Sequence, residues 1–137
     1  MRIYLDSNVI ISLLKEELGR RFRLLYLESE SFLRQANKSK FTLVLSNLFF
    51  EEVTNILKVD KKSIMDYLSG FSLSIEEFYP KNNPRIKLFH DLGINYPDSL
   101  HLALALESNC DCIVTFNKKD FDLAGHIIAI REPTDFL

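Results

Sequence analysis

Acidic side chains in this sequence recur where predicted strands end and predicted helices begin. The set spans most of the chain and consists of Asp6, Glu52, Asp98 and Asp120. Several carboxylates brought together cannot all stay ionised unless a cation compensates their charge. Their hard oxygen atoms suit Mg²⁺ or Mn²⁺. Such a centre fits hydrolysis of a phosphodiester bond, because a bound metal activates water and stabilises the charge that develops on the phosphate.

Glu52 is the most informative of these acids. It lies in the second turn of a predicted helix, and its neighbours three and four residues away are Leu48, Phe49 and Ile56. These neighbours form the apolar stripe of the helix, whereas Glu51 points to the polar face. A carboxylate on a buried stripe is costly unless a metal, an arginine or a hydrogen-bond network compensates it. The pattern therefore favours Glu52 over Glu51 as the site residue.

Each acid also has an interpretation that needs no shared site. Asp6 can cap the first helix, and Asp98 can interact with the dipole of its own helix. Asp120 is a common type of turn residue, and Glu52 can be half-exposed or paired with a lysine. One common site explains all four residues more economically than four separate local roles.

The elements that position these acids are short apolar strands alternating with helices. The predicted strands are residues 2–5, 41–45, 72–75, 113–116 and 127–130. Ser7 or Asn8 is expected to cap a first helix that ends at Leu14, and Ser46 is expected to cap the third helix. The later helices are predicted over residues 18–36, 47–58, 61–68, 85–92, 97–108 and 117–121, with a turn over residues 81–84.

This alternation predicts an α/β fold, a three-layer α/β/α sandwich around a short, mostly parallel central sheet. Right-handed crossovers place the carboxyl ends of parallel strands at one edge of the sheet. Ligands bind beyond that edge in open parallel sheets. Asp6, Asp98, Asn117 and Asp120 are all expected to face it, together with Glu52 from the helix after the second strand.

Length and composition indicate one ordinary globular domain over residues 1–137, with 47% hydrophobic and 26% charged residues. The net charge of −2 excludes binding of nucleic acid through an overall positive charge. Phosphate contacts must therefore come from a local basic rim or from metal ions. Apolar runs stay well below the roughly 20 residues that cross a bilayer. The N-terminus also does not have the pattern of a signal peptide. We therefore expect a cytoplasmic protein without a membrane partner.

Four motifs of this chain resemble those of the PIN-domain nucleases. Residues 4–10 read Tyr-Leu-Asp-Ser-Asn-Val-Ile, an apolar strand followed by Asp-x-Asn, and residues 46–57 resemble the second motif, in which an acid precedes an aliphatic residue. Residues 97–103 and 113–121 are similar to the third and fourth motifs. Their order and spacing match over nearly the whole chain.

The resemblance implies an endoribonuclease that uses Mg²⁺ or Mn²⁺ to hydrolyse RNA. It implies that Asp6, Glu52 and Asp98 hold the metal, and that Asn8 and Thr115 orient the cluster. The chain departs from the fullest pattern at Asn117, where many members carry Asp. An asparagine offers a carbonyl oxygen to a metal but no charge, and Asp120 one turn later can supply the fourth acid. Which of these two residues fills the fourth position stays open, and so does the presence of a second metal.

Many small stand-alone members of the family that this chain resembles are toxins of the VapC type, and the size of this chain is consistent with such a toxin. The resemblance implies an antitoxin protein that inserts into the site, and a homodimer. The alternative is a protein-binding module on the same fold with a degenerate site, which the asparagine at position 117 favours. A phosphatase with Asp6 as the nucleophile is a third interpretation. The second aspartate expected two residues later is Asn8 here, which counts against it.

Overall fold

The structure is a computed structural model that describes residues 1–16, 24–80 and 85–137. Within these residues the chain forms five strands and seven α-helices. In chain order they are β1 (Arg2–Leu5), α1 (Ser7–Leu14), α2 (Leu25–Lys38), β2 (Thr42–Ser46), α3 (Asn47–Leu57), α4 (Lys61–Ser69), β3 (Ser74–Phe78), α5 (Ile86–Asp91), α6 (Tyr96–Glu107), β4 (Cys112–Val114), α7 (Lys118–Phe121) and β5 (Ala129–Arg131). Short 3-10 turns lie at Asp122–Ala124 and Pro133–Phe136.

The five strands form one sheet in the order β3-β2-β1-β4-β5, and every neighbouring pair is parallel. All carboxyl ends therefore lie at the same edge. The chain moves from β1 to β2 on one side of the sheet and later places β4 on the other side. This reversal creates a topological switch point between β1 and β4, the position where open α/β sheets bind ligands.

Helices cover both faces of the sheet. Alternate residues of a strand point to opposite faces, so Ile3 and Leu5 pack against one helical layer and Tyr4 packs against the other. The first layer contains α1, α2, α3 and α4, and the second contains α5, α6 and α7. The predicted three-layer α/β/α sandwich is confirmed, with a central sheet that is parallel throughout.

The start of α3 follows the predicted capping. The Ser46 hydroxyl accepts a hydrogen bond of 3.2 Å from the Phe49 N–H, which satisfies one of the unpaired amides of the first turn. Because Ser46 is also the last residue of β2, the strand passes into the helix without a loop. This tight connection fixes the first turns of α3 at the carboxyl edge of the sheet.

The start of α1 differs from its prediction. The helix begins at Ser7 directly after β1, so Asp6 takes the N-cap position and neither Ser7 nor Asn8 caps the helix. The Asp6 side chain makes no capping hydrogen bond within the described first turn. Asp6 is therefore the N-cap residue by position, but its carboxylate accepts from the Thr115 hydroxyl, so capping alone does not account for this residue.

The third strand was predicted over residues 72–75 but lies at Ser74–Phe78. Apolar residues alternate at the predicted positions, but pairing with β2 sets the register, in which Thr42 is opposite Ser74. The beginning of the predicted helix 18–36 and the whole predicted turn 81–84 fall outside the described residues. None of the described helices combines the length and the apolar character needed to cross a bilayer.

Candidate metal centre

Asp6 lies at the switch point between β1 and β4. Its backbone N–H donates to the Val114 carbonyl at 3.0 Å, which extends the pairing of the two strands to the edge of the sheet. The residue is only 5% exposed. The Thr115 hydroxyl donates to Asp6 Oδ2 at 2.7 Å across the two strand ends. The position of this carboxylate is thus fixed by the strand pairing and by a direct hydrogen bond.

Asn8 and Thr115 form a network behind Asp6. Thr115 Oγ1 accepts hydrogen bonds from Asn8 Nδ2 at 3.2 Å and from the Asn117 N–H at 3.0 Å. Asn8 Oδ1 in turn accepts from the Phe116 N–H at 3.2 Å. Since the threonine oxygen receives two donors, its own hydrogen is directed to Asp6. Thr115 thus contacts Asp6 directly, and Asn8 contacts it through Thr115.

Glu52 reaches the same pocket from α3. Its Oε1 accepts hydrogen bonds from the Ser7 hydroxyl and from His101 Nε2, each at 2.7 Å. Glu52 is half-buried, whereas Glu51 is exposed, so the helix has the register that the apolar stripe predicts. The stripe itself is shorter than predicted, because Ile56 is 49% exposed.

His101 joins the acids from α6 and is 2% exposed. Its Nε2 lies 3.6 Å from Asp6 Oδ1 in addition to its contact with Glu52. One potential ligand atom from each of Asp6, Glu52 and His101 lies within 4.8 Å of the others. Because His101 stands one helical turn after Asp98, the sequence alone indicates a hydrogen bond to an acid and no more than that. Nothing in the sequence pattern pointed to Ser7, whose hydroxyl links the two carboxylates.

Asp98 lies in the first turn of α6 and is coupled to the cluster by charge. Burial, together with the neighbouring charges of Asp6 and Asp120, raises its pKa to about 6, and the nearby His101 opposes this rise only in part. Among the described residues, however, the group within 4.8 Å does not include the Asp98 carboxylate. Asp98 thus lies outside the tightest group of potential ligands.

The two candidates for the fourth position are placed differently. Asp120 is exposed in the first turn of α7, and its charge contributes to the raised pKa of Asp98. Asn117 is also exposed, and its backbone N–H supports Thr115 as described above. The electrostatic coupling favours Asp120 as the additional acid.

The two inner acids have opposite pKa shifts. Burial raises the pKa of Asp6, and the charge of Glu52 adds to this, although His101 and Thr115 oppose it. Burial also opposes ionisation of Glu52, but the hydrogen bonds from His101 and Ser7 and the charge of His101 prevail, so its pKa is lowered. Burial would lower the pKa of His101, yet the contacts with Glu52 and Asp6 raise it. The pocket thus concentrates negative charge around one imidazole.

This donor set fits a hard divalent cation. The pocket gathers carboxylate oxygens whose orientation is already fixed by Ser7 and Thr115. Burial and, after it, the neighbouring carboxylates raise the pKa of Asp98, and a bound cation would favour its ionised form. Carboxylates at such positions suit Mg²⁺ or Mn²⁺. Asp6 and Glu52 are the residues that would hold the ion, with Asp98 and Asp120 beside it.

The contribution of Asp98 to the stability of the metal-free protein is expected to fall as pH rises from about 4 through about 6. A carboxyl group whose folded-state pKa is raised binds more protons when folded, so its stabilising contribution is lost as pH rises through that value. For Asp98 the window lies between the ordinary aspartate pKa of 3.8 and about 6. The full shift corresponds to about 3 kcal/mol, and solvent screening of this partly exposed group reduces it to about 1 kcal/mol.

Asp98→Asn is therefore expected to raise the melting temperature above pH 7 by about 3 °C and to flatten its pH dependence. Thermal unfolding in the presence of a chelator measures both effects. Asp66→Asn, on the exposed side of α4, is the matched control and should leave the pH profile unchanged. An unaltered profile for Asp98→Asn would contradict the electrostatic coupling of this residue to the pocket.

Comparisons with known proteins agree with this architecture. The model of the family described as "PIN domain" matches residues 3–126. No curated protein matches the sequence significantly. A solved structure described as "Toxin-antitoxin complex from Klebsiella pneumoniae" is 21% identical, with a TM-score of 0.60 over 96% of this chain and 97% of that chain. The structure of VapBC-1 from nontypeable Haemophilus influenzae is 19% identical, with a TM-score of 0.63 over 98% of this chain and 99% of that chain. At these identities the two structures show a shared fold.

Proposed function

The chain belongs to the PIN domain family, and on this premise we propose that it is an endoribonuclease dependent on Mg²⁺ or Mn²⁺. The observation that carries the proposal is the convergence of Asp6, Glu52 and His101 at the carboxyl edge of the sheet, with Asp98 beside them. Three separate elements supply these side chains, and no local structural role requires them to meet.

The residues of the chain have distinct parts in this proposal. Asp6 and Glu52 bind the cation, and when bound it supplies an activated water and stabilises charge on the phosphate. Thr115 and Ser7 hold the two carboxylates in place through their hydroxyl hydrogens. Asp98 and Asp120 add negative charge at the border of the pocket. Lys118 and Lys119 lie at the start of α7, beside the acids, and would contact phosphates of the substrate.

RNA is the proposed substrate because the motifs resemble those of PIN-domain endoribonucleases. The net charge of −2 argues against a long electrostatic footprint on the nucleic acid. A short single-stranded segment, which needs few phosphate contacts, suits this charge. Its scissile phosphate would lie over the pocket between β1 and β4.

An antitoxin protein is the proposed partner, and the chain itself is proposed to be a single cytoplasmic domain that forms a homodimer. Among the structural neighbours, one is described as a toxin–antitoxin complex and another as VapBC-1. Large apolar side chains are exposed on the helical layer formed by α1 to α4, including Leu27 at 41% and Ile56 at 49%. Binding of another protein requires such side chains to form a contiguous patch, so the proposed antitoxin contact needs them to be neighbours on the surface.

Incubation of the purified full chain with labelled single-stranded RNA tests the proposed activity. We expect cleavage of RNA with Mn²⁺ or Mg²⁺, no cleavage after chelation, and no cleavage of DNA of the same sequence. A mixture of total cellular RNA provides a substrate pool that does not depend on knowing the target. Complete absence of cleavage at millimolar metal would overturn the nuclease and favour the protein-binding module.

A further inference from the structure

We infer that Ser46 and Tyr4 fix the hydrogen on Nε2 of His101, so that His101 orients Glu52 as a positioning residue and does not ligate the metal. The inference deepens the proposed function and rests on it for the identity of Glu52 as a metal-binding acid. The residues concerned are connected by a series of hydrogen bonds that begins inside the sheet and ends at the pocket.

The chain of hydrogen bonds is continuous and buried. Ser46 Oγ lies 2.7 Å from Tyr4 Oη, which lies 2.6 Å from His101 Nδ1. On the other side of the ring, Nε2 lies 2.7 Å from Glu52 Oε1. Ser46 and Tyr4 are fully buried, and His101 nearly so, which leaves solvent little access to their polar atoms. The tyrosine and imidazole rings also meet edge to face, with centroids 5.5 Å apart.

The direction of each hydrogen bond follows from counting donors. Ser46 Oγ already accepts from the Phe49 N–H as the cap of α3. Among the described residues, the Ser46 hydroxyl hydrogen has one remaining partner, Tyr4 Oη. A buried hydroxyl hydrogen without an acceptor would be costly, so Ser46 donates to Tyr4.

Tyr4 has then received one hydrogen and must donate its own to His101 Nδ1. In the neutral imidazole one nitrogen accepts and the other carries the hydrogen. Since Nδ1 accepts, Nε2 carries the hydrogen and donates it to Glu52 Oε1. A nitrogen that carries a hydrogen has no lone pair for a metal ion. His101 therefore acts on the acid and not on the cation.

The consequence for Glu52 concerns its two oxygens. Both hydrogen bonds that it receives from described residues, from Ser7 and from His101, end on Oε1. The carboxylate is held from one side, and Oε2 is left for a cation. Residues that orient a ligand in this way are typically worth about 10- to 100-fold in metal affinity or activity.

Proton–nitrogen correlation NMR of the histidine rings in the metal-free wild-type protein tests the inference directly. At a pH where the ring is neutral, couplings between the ring protons and nitrogens should place the hydrogen of His101 on Nε2. Tyr4→Phe removes the donor to Nδ1 and should give a mixture of the two tautomers. Tyr67→Phe removes a hydroxyl from the outer side of α4 and is the matched control. A wild-type ring with its hydrogen on Nδ1 would overturn the inference.

Two substitutions of His101 separate positioning from ligation. In His101→Gln the side-chain amide can occupy the place of Nε2 and donate to Glu52. The Mn²⁺ affinity of this variant, measured by calorimetry, should therefore stay within about threefold of the wild-type affinity. His101→Asn should lower the affinity about 10- to 100-fold. Pulsed electron paramagnetic resonance of bound Mn²⁺ should show no directly coordinated nitrogen. Detection of a coordinated nitrogen that disappears in His101→Gln would make His101 a ligand. The tautomer is measured without metal or RNA, so it can fail or succeed independently of nuclease activity.

Discussion

Asp6→Asn is expected to lower the rate of RNA cleavage by at least about 100-fold, beyond the upper range for residues that only orient a metal ligand. Asp6 is the innermost acid of the pocket, 2.7 Å from Thr115 and 3.6 Å from His101. An asparagine has nearly the same shape, and its carbonyl can still accept from the Thr115 hydroxyl. What it lacks is the negative charge that draws in a divalent cation.

The same substitution is expected to leave the fold at least as stable as the wild type. Burial raises the pKa of Asp6, which means that its ionised form is unfavourable in the folded chain at neutral pH. The neutral amide avoids this cost, so the melting temperature measured with a chelator should be unchanged or higher. Asp66→Asn should leave both quantities at wild-type values. Cleavage by Asp6→Asn at the wild-type rate would mean that the reaction does not depend on this pocket.

Glu52→Gln is expected to weaken Mn²⁺ binding and cleavage about 10- to 100-fold, and Glu51→Gln to change either by less than about twofold. The two residues are adjacent, yet Glu52 accepts hydrogen bonds from Ser7 and His101 while Glu51 is exposed. In Glu52→Gln the amide oxygen is expected to keep those two donors. The amide nitrogen then takes the place of Oε2 and presents hydrogens to the cation.

This neighbouring pair is its own control, because both substitutions remove one charge from the same helix. Titration calorimetry with Mn²⁺ and initial cleavage rates measure the two effects. If Glu51→Gln were the damaging change, α3 would have a different register in solution from the one described here.

The position of Asp6 could be predicted because it depends on backbone rules. A short apolar strand that ends in an acid, within an alternating strand and helix pattern, places that acid at the carboxyl edge of a parallel sheet. The same reasoning identified Ser46 as a cap and Glu52 as the buried member of its pair. These residues are determined by periodicity and capping, both of which are local properties of the sequence.

The partners of these acids could not be predicted in the same way. Tyr4 and His101 are 97 positions apart and meet because α6 packs over the face of β1 that carries Tyr4. The tight group also includes His101 and not Asp98, although both belong to the same helix face. The reach of each side chain and the exact rotation of α6 decide this difference. Neither is encoded in the spacing of residues.

The boundaries of β3 were missed for a related reason. Its residues Glu76 and Glu77 are exposed and form ion pairs with Arg2 and Lys61, so the strand does not have a continuous apolar pattern. It lies at an edge of the sheet, where only one neighbour constrains it. Pairing with β2 determines where it begins and ends, and that pairing is a tertiary interaction.

Calorimetric titration of Mn²⁺ into the chelator-treated wild-type chain measures whether distant carboxylates form a cation site. We expect saturable binding that is lost in Asp6→Asn, and a stabilisation of about 2.7 kcal/mol when free Mn²⁺ is 100 times its dissociation constant. Absence of binding at millimolar Mn²⁺, or equal binding by the wild type and Asp6→Asn, would contradict the metal centre described here.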